Sequence, residues 1–466
     1  MVQGTSSSAG KSLIATALCR YFVGRGLRVA PFKAQNMSNN ARVVEGGEIG
    51  VAQYLQALAA RVTPDVRMNP VLVKPEGDTR SQVVVAGVVD PAIGALPWPD
   101  RAGWLRPAID AALASLMDEH DLVVLEGAGS PAEINLAGID LANLHAARRA
   151  DARVILVCDI DRGGAFAHLY GTWALMAPAD RDRIAGFVLN RFRGDPGLLA
   201  PAPQMLEELT GVPVVGVVPW LAHRLPDEDG AAIPAVQGDG RPAVAIVRYP
   251  TASNLDEFKA LEEVADVRWV AEPGGLAGAD LVVLPGSKHV SGDLAWLRRT
   301  GLAEAVVARA AAGERVLGIC GGLQMLGERL RDPEHVDGEG EGLGLLPIDT
   351  VYAVDKLTER VAVRFGALPS PWEALSGRSL DGYEIRQGRS RATAPSAPAL
   401  PDNRGWSDGP VLGVTLHGLF ESPAITAAIA GTAAAGTLDA ALDELADGVV
   451  AGLDRGWLDA LAGLGH

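Results

Sequence analysis

Arg315-Val-Leu-Gly-Ile-Cys320-Gly-Gly-Leu-Gln-Met-Leu-Gly327 decides how the second half of this chain folds. A short apolar run leads into Gly318, a cysteine follows inside Gly-x-Cys-x-Gly, and an apolar-periodic segment continues. The pattern predicts a strand, a sharp turn and a helix. Glycine is needed on both sides because the turn leaves no room for a Cβ. Such a turn exposes the sulfur at a helix N-terminus, where the positive end of the dipole favours thiolate. An isolated cysteine is more often an inert core residue; the flanking glycines favour a nucleophile at Cys320.

Leu412-Gly-Val-Thr-Leu-His417-Gly-Leu-Phe-Glu421 supplies the partner. A β-rich run delivers a histidine at its end, where an imidazole can meet a thiol from another strand. Catalytic cysteines pair with a histidine distant in sequence and adjacent in the fold. A lone histidine is more often a surface or satisfied core residue, and it is the joint occurrence that favours a Cys320–His417 pair. Glu421 or Glu384 is a candidate to orient the ring, and the sequence does not choose between them. Asp280-Leu-Val-Val-Leu-Pro-Gly286-Ser287-Lys288 reads as a strand ending in a glycine turn. Amides at Gly286 are suited to half of an oxyanion hole, with the amide of Gly321 as the other half; a phosphate-binding turn is the competing reading.

The first half carries a different chemistry. Gly4-Thr5-Ser-Ser-Ser-Ala-Gly10-Lys11-Ser12 is a phosphate-binding loop opening into a helix over Leu13 to Val23. Backbone amides from Gly4 and Thr5 to Gly10 cradle phosphate oxygens, Lys11 reaches the terminal phosphates, and Ser12 can ligate magnesium. Five residues separate its glycines, where the commoner pattern has four. A Gly/Ser-rich linker is the bland alternative, which the following Gly-Lys-Ser and amphipathic helix disfavour. Only Met1 to Gln3 precede the loop, which implies a very short first strand or a start further upstream.

Three later apolar runs end in polar groups: Asp121-Leu-Val-Val-Leu-Glu126-Gly-Ala-Gly-Ser130, Ala152 to Gly164 through Asp159 and Asp161, and Gly186-Phe-Val-Leu-Asn190-Arg-Phe-Arg-Gly-Asp195. An open parallel sheet places ligand-binding groups at such strand ends, and an acid there suits magnesium. Any one of these ends also reads as a turn or helix cap; their recurrence favours a shared site, with Asn190 as a contact to base or phosphate.

At 466 residues the chain is long enough for about two to three domains. Alternating strand and helix patterns indicate an α/β class with parallel sheets. A net charge of −16 argues against general affinity for nucleic acid or an anionic membrane. Three cysteines do not make a disulfide framework, and Cys19 and Cys158 read as structural. No leader and no membrane-length apolar run is evident, so a soluble, cytoplasmic protein is expected. Residues 226–242, rich in Pro, Gly and Asp, read as a linker between a unit at 1–225 and a second at 243–466. Arg389 to Pro410 reads as a loop, and the Ala- and Leu-rich end as amphipathic helices closing the second unit.

Taken together the motifs resemble the cobyric acid synthase family, glutamine-dependent amidotransferases of cobalamin biosynthesis. The segments that carry the resemblance are Ala30-Pro-Phe-Lys33-Ala-Gln35-Asn36-Met37, Met68 to Pro75, Glu126 to Asn135, Asp159 to Gly164, Gly382-Tyr-Glu384-Ile, and the cysteine and histidine segments. The first half is also similar to dethiobiotin synthetase. The resemblance implies a P-loop synthetase domain followed by a class I-like (triad) glutamine amidotransferase domain. Glutamine would be the ammonia donor at Cys320 and His417, and Mg-ATP would activate a carboxylate of a corrinoid substrate. Lys11, Ser12 and Glu126 match the ATP and magnesium positions, Lys33 follows a strand beside them, and Glu48 is a candidate second magnesium ligand. Arg386 and His289 stand where the family usually has histidine and asparagine. Cobyrinic acid a,c-diamide synthase is the nearest alternative. A nucleotide-switch ATPase is the alternative of another class, disfavoured because positions 4 to 9 contain no lysine.

Overall fold

The computed structural model describes all residues except 77–80, 226–239, 395–397, 433–435 and 465–466. The expected linker therefore lies outside the described residues as far as 239.

The phosphate loop springs from a strand of only three residues, Val2–Gly4. So short a strand holds because it is central. It pairs in parallel with Val154–Asp159, which pairs in turn with Ile184–Phe192 and then Val214–Pro219. On its other side a parallel bridge from Val2 to Glu126 joins the parallel pair Val29–Phe32 and Leu122–Leu125. Parallel strands covered on both faces read as continuous apolar runs, and Val154–Asp159 is buried along its whole length. All these strands point their C-terminal ends at the phosphate loop. A smaller sheet of Gln35–Met37, Val71–Pro75, Ser81–Val85 and Val88–Val89 stands beside it, with a separate hairpin of Ala41–Val44 and Gly47–Gly50.

The second unit is a seven-stranded sheet. Asp266–Val270, Ala243–Val247, Leu281–Leu284, Arg315–Ile319 and Val411–Val414 run parallel in that spatial order. Gly405–Asp408 and Pro398–Leu400 add antiparallel edge strands. Much of the loop expected over 389–410 is thus sheet: these two edge strands lie within it, and the long strand Ser379–Ala392, paired with Ile348–Arg364 in a separate four-stranded sheet, runs into its start. Short edge strands and a half-exposed long one carry no continuous apolar run to mark them in the sequence.

A second correction concerns the C-terminal helices. Leu438–Ala451 does not close the second unit; it returns to the first and packs on Lys11–Gly24. Leu442, Leu445 and Val449 lie on one face, in a shared core with Ile14, Leu18 and Phe22. Arg20 pairs with Asp439 and Asp443, and Arg25 with Asp459, so charge complementarity lines the same seam. Among the described residues no helix is long and apolar enough to cross a membrane.

Candidate active site

Cys320 ends the strand Arg315–Ile319 and begins the helix Gly321–Leu326. Its backbone sits at φ 50, ψ −103, a region that costs a non-glycine residue roughly 1–3 kcal/mol. The amide of Cys320 donates to Val414 O at 2.8 Å, which fixes the turn to the neighbouring strand. Gly322 is obligatory, since a Cβ there would lie 2.0 Å from the carbonyl oxygen of Leu284.

His417 arrives from that neighbouring strand, two residues beyond Thr415. Its backbone exchanges hydrogen bonds with Tyr383, at 2.9 and 3.2 Å, and the Tyr383 ring stacks on the imidazole with centroids 5.4 Å apart. The ring is buried and lines the same cavity as the Cys320 sulfur, and its Nδ1 lies 2.8 Å from Glu257 Oε1. Burial opposes the imidazolium, but the Cys320 sulfur and the Glu257 carboxylate outweigh it and raise His417 to about 10. A protonated imidazole therefore faces the sulfur at neutral pH.

Glu257 is the orienting acid, and neither expected candidate is. Glu421 is engaged by Arg42, and Glu384 by Arg386 at 2.8 Å and Arg404 at 3.1 Å. Glu257 sits in the short 3-10 turn Leu255–Phe258 after the first strand of the second unit. Its one sequence signal is the acidic pair Asp256-Glu257 wedged between Leu255 and Phe258, both acids being buried. Gly286 and Gly321 come together beside the cysteine. A Cβ at Gly286 would lie 2.7 Å from His417 Cε1, and one at Gly321 would lie 2.7 Å from the Ser287 amide nitrogen. The adjoining cavity of about 70 Å³ is lined by Cys320, His417 and Gln324, and by Asn39, Lys74 and Glu76 of the first unit.

At the phosphate loop, Gly10 adopts φ 98 and leads into the helix Lys11–Gly24. Thr5 N donates to Val157 O at 2.9 Å, anchoring the start of the loop. Lys11 Nζ reaches Ser6 O at 2.9 Å and Gly129 O at 3.1 Å, so it folds back over the loop. Glu126 is buried where four side chains converge: Ser12 Oγ at 2.8 Å, Lys33 Nζ at 2.8 Å, Gln53 Nε2 at 3.4 Å, and Gln56 Nε2. The neighbouring cavity of about 420 Å³ is lined by Lys11, Lys33, Gln35, Trp98, Arg101 and Ser130, among others.

Residues 1–229 match the CobQ/CobB/MinD/ParA nucleotide binding domain, and 243–425 match the CobB/CobQ-like glutamine amidotransferase domain. The chain is 52% identical to the cobyric acid synthase of Polaromonas sp. (strain JS666 / ATCC BAA-500), over 99% of this chain and 97% of that protein. It is 55% identical to the cobyric acid synthase of Variovorax paradoxus (strain S110), over 99% and 98% of the two chains. The chain belongs to the cobyric acid synthase family. As a member it is an ATP-dependent glutamine amidotransferase of cobalamin biosynthesis, a glutamine-hydrolysing ligase. Among solved structures, PurLQS from Thermotoga maritima overlaps 45% of this chain and 98% of its own, at 20% identity and a TM-score of 0.32; so distant a likeness adds nothing further.

Within this cobyric acid synthase fold one expected site residue, Glu48, lies elsewhere, and Asn190 packs on the phosphate loop. Glu48 is not beside Ser12 and Glu126. It is buried between the Nζ atoms of Lys356, from the second unit, and Lys74; against the cost of burial they hold it down at about 2, while burial pulls Lys74 itself well below its ordinary value. With both oxygens on lysines, it is an interface anchor rather than a magnesium ligand. Asn190 lies beneath the loop, donating through Nδ2 to Ala9 O at 2.9 Å; a Cβ at Gly10 would lie 2.0 Å from that nitrogen. It braces the loop through that bond. Gln53 and Gln56, which the sequence reading passed over, reach Glu126 from the helix Val51–Ala59.

Proposed function

We propose that this protein amidates the b, d, e and g carboxylates of adenosylcobyrinic acid a,c-diamide, giving adenosylcobyric acid. The observation that carries this reading is the cavity beside Cys320 and His417, walled on its far side by Asn39, Lys74 and Glu76 of the nucleotide-binding unit. Ammonia made there is released against the unit that consumes it.

In the glutaminase half, the Cys320 thiolate attacks the side-chain amide carbon of glutamine. Amides at Gly286 and Gly321 stabilise the oxyanion. His417 gives its proton to the departing nitrogen, ammonia leaves, and a thioester remains. The imidazole, held by Glu257, then takes a proton from water, whose attack releases glutamate and regenerates the thiolate.

In the synthetase half, a substrate carboxylate attacks the γ-phosphorus of ATP, ADP leaves, and an acyl phosphate forms. Ammonia adds to its carbonyl carbon; phosphate departs and a proton is lost, leaving the amide. Lys11 and the loop amides hold the phosphates, and Lys33 faces the transferring phosphoryl or the substrate carboxylate. The oxygens fit a magnesium ion once Lys33, which also lies 2.8 Å from Glu126 Oε1, is drawn to the phosphates: Ser12 Oγ and Glu126 Oε1 meet at 2.8 Å, and Gln56 Oε1 is buried with no hydrogen-bond partner. When held by Ser12 and Glu126, magnesium would neutralise charge on the phosphate oxygens. Around the larger cavity beside the phosphate loop Met37 and Trp98 are 51% and 39% exposed, an apolar rim suited to the flat face of a corrinoid.

The test incubates the protein with Mg-ATP, glutamine and adenosylcobyrinic acid a,c-diamide and follows products by mass spectrometry. Stepwise conversion of four carboxylates to amides is expected, lost in Cys320→Ala and restored by added ammonia. Absence of amidation even with ammonia would overturn the reading.

A further inference from the structure

The hairpin Ala41–Val44/Gly47–Gly50 belongs to the synthetase unit, yet its side chains end in the glutaminase unit. Arg42 is buried there. Its guanidinium pairs with Asp256 and Glu421, bonds the Tyr383 hydroxyl, and lies 4.9 Å from the centroid of the Tyr383 ring. Asn254 closes the joint from the other side, donating to Ala41 O at 3.0 Å and to Tyr383 Oη at 2.9 Å.

Both structures gripped by Arg42 hold His417. Tyr383 stacks on the imidazole and bonds its backbone. Asp256 precedes Glu257, the acid on Nδ1, within one short turn. Without the guanidinium, Asp256 and Glu421 would lose the cation they share, next to the Glu257 that holds His417, and a buried charge stripped of its partner is strongly unfavourable. Asp256 already stands at about 6 because burial raises it while Arg42 pulls the other way. Immediately after the hairpin, the helix Val51–Ala59 places Gln53 and Gln56 on Glu126. One continuous segment thus touches both centres.

We propose that Arg42 is a positioning residue of the glutaminase centre supplied by the synthetase unit, so that glutamine hydrolysis requires the docked hairpin. This rests on the glutaminase reading of Cys320 and His417. Arg42 does not line the cavity at Cys320; it acts through Tyr383 and the Asp256–Glu257 turn.

The experiment compares the full-length protein with Arg42→Met and Arg42→Lys, measuring glutamine hydrolysis and ammonia-supported ligation separately. Arg42→Met is expected to lower glutaminase kcat by about tenfold or more with KM for glutamine nearly unchanged. Ammonia-supported ligation persists, and Arg42→Lys recovers part of the loss. An interface contact with no positioning role would instead leave kcat intact and only increase the glutamate released per amide formed; that result overturns the proposal. Asp256→Asn is the second variant, should Arg42→Met lose ligation through misfolding. With ligation intact, a normal glutaminase kcat in Asp256→Asn also overturns it. Failure of the underlying reading is distinct: there, Cys320→Ala would still hydrolyse glutamine.

Discussion

Nδ1 of His417 lies 2.8 Å from Oε1 of Glu257, across 160 residues of chain. The second carboxylate oxygen accepts from the Gly418 amide at 3.0 Å, so both the ring and the backbone that carries it are pinned by one acid. Glu257→Gln keeps the shape but removes the charge that stabilises the imidazolium. The expected result is a fall in glutaminase kcat of roughly 10²-fold or more, with ammonia-supported ligation preserved. A kcat within a fewfold of wild type would show that stacking on Tyr383 suffices to orient the ring.

The charge on His417 has a thermodynamic counterpart. Its pKa is raised from 6.5 to about 10, the gains from Cys320 and Glu257 exceeding the burial penalty. A raised pKa means that the folded state binds the proton more tightly than the unfolded chain. The stabilisation is therefore fully present below the ordinary value of 6.5 and is lost as pH rises through about 10. The stability difference between wild type and His417→Gln, followed by thermal melting, is expected to shrink over that interval. A difference that stays flat with pH would mean that the ring is neutral in the folded protein.

How much of this was legible depends on how local each signal is. The cysteine turn reads directly from residues 315–327 because part of its crowding is created by its own strand and helix: the Cβ missing from Gly318 would meet Leu326 and the Leu323 amide. The phosphate loop is equally local. Glu257 is not, since the residue that orients a histidine is selected by which turn happens to face it after folding. Glu421 looked plausible because it is close to His417 in sequence, but it points at Arg42. Glu48 carries the same lesson. An acid in a glycine-rich segment near a nucleotide site invites a metal role, and only the tertiary approach of Lys356 reveals its partner.

Removing that acid makes the point measurable. Glu48→Gln removes the acid that both Lys74 and Lys356 contact. Burial already pulls Lys74 well below its ordinary value, so it can shed its proton once the carboxylate is gone, and the roughly 3–5 kcal/mol of a one-sided broken ion pair is an upper limit to the expected loss in denaturant stability. The dependence of ATP turnover on magnesium concentration should not move. Glu48 is held at about 2, below its ordinary 4.5, so its contribution is present above 4.5 and lost as pH falls through about 2. A raised magnesium requirement with stability unchanged would return Glu48 to the metal site.

The return of the last helices to the first unit separates the two activities in a way that contiguous domains would not. Leu445 is buried against the helix that opens at Lys11, in the core shared by Leu18 and Phe22. Its truncation to alanine removes apolar contacts on the face that supports the phosphate loop, at a cost of about 2–5 kcal/mol. The glutaminase sheet has its own cores, which contain neither Leu445 nor its neighbours. Leu445→Ala is therefore expected to weaken ATP-dependent stabilisation and ammonia-supported ligation more than glutamine hydrolysis. ATP bound only by the folded unit should restore part of the melting temperature, rising with the logarithm of its concentration above Kd. Equal losses in both activities, with no rescue by ATP, would place the helix in the second unit after all, as its position in the sequence suggests.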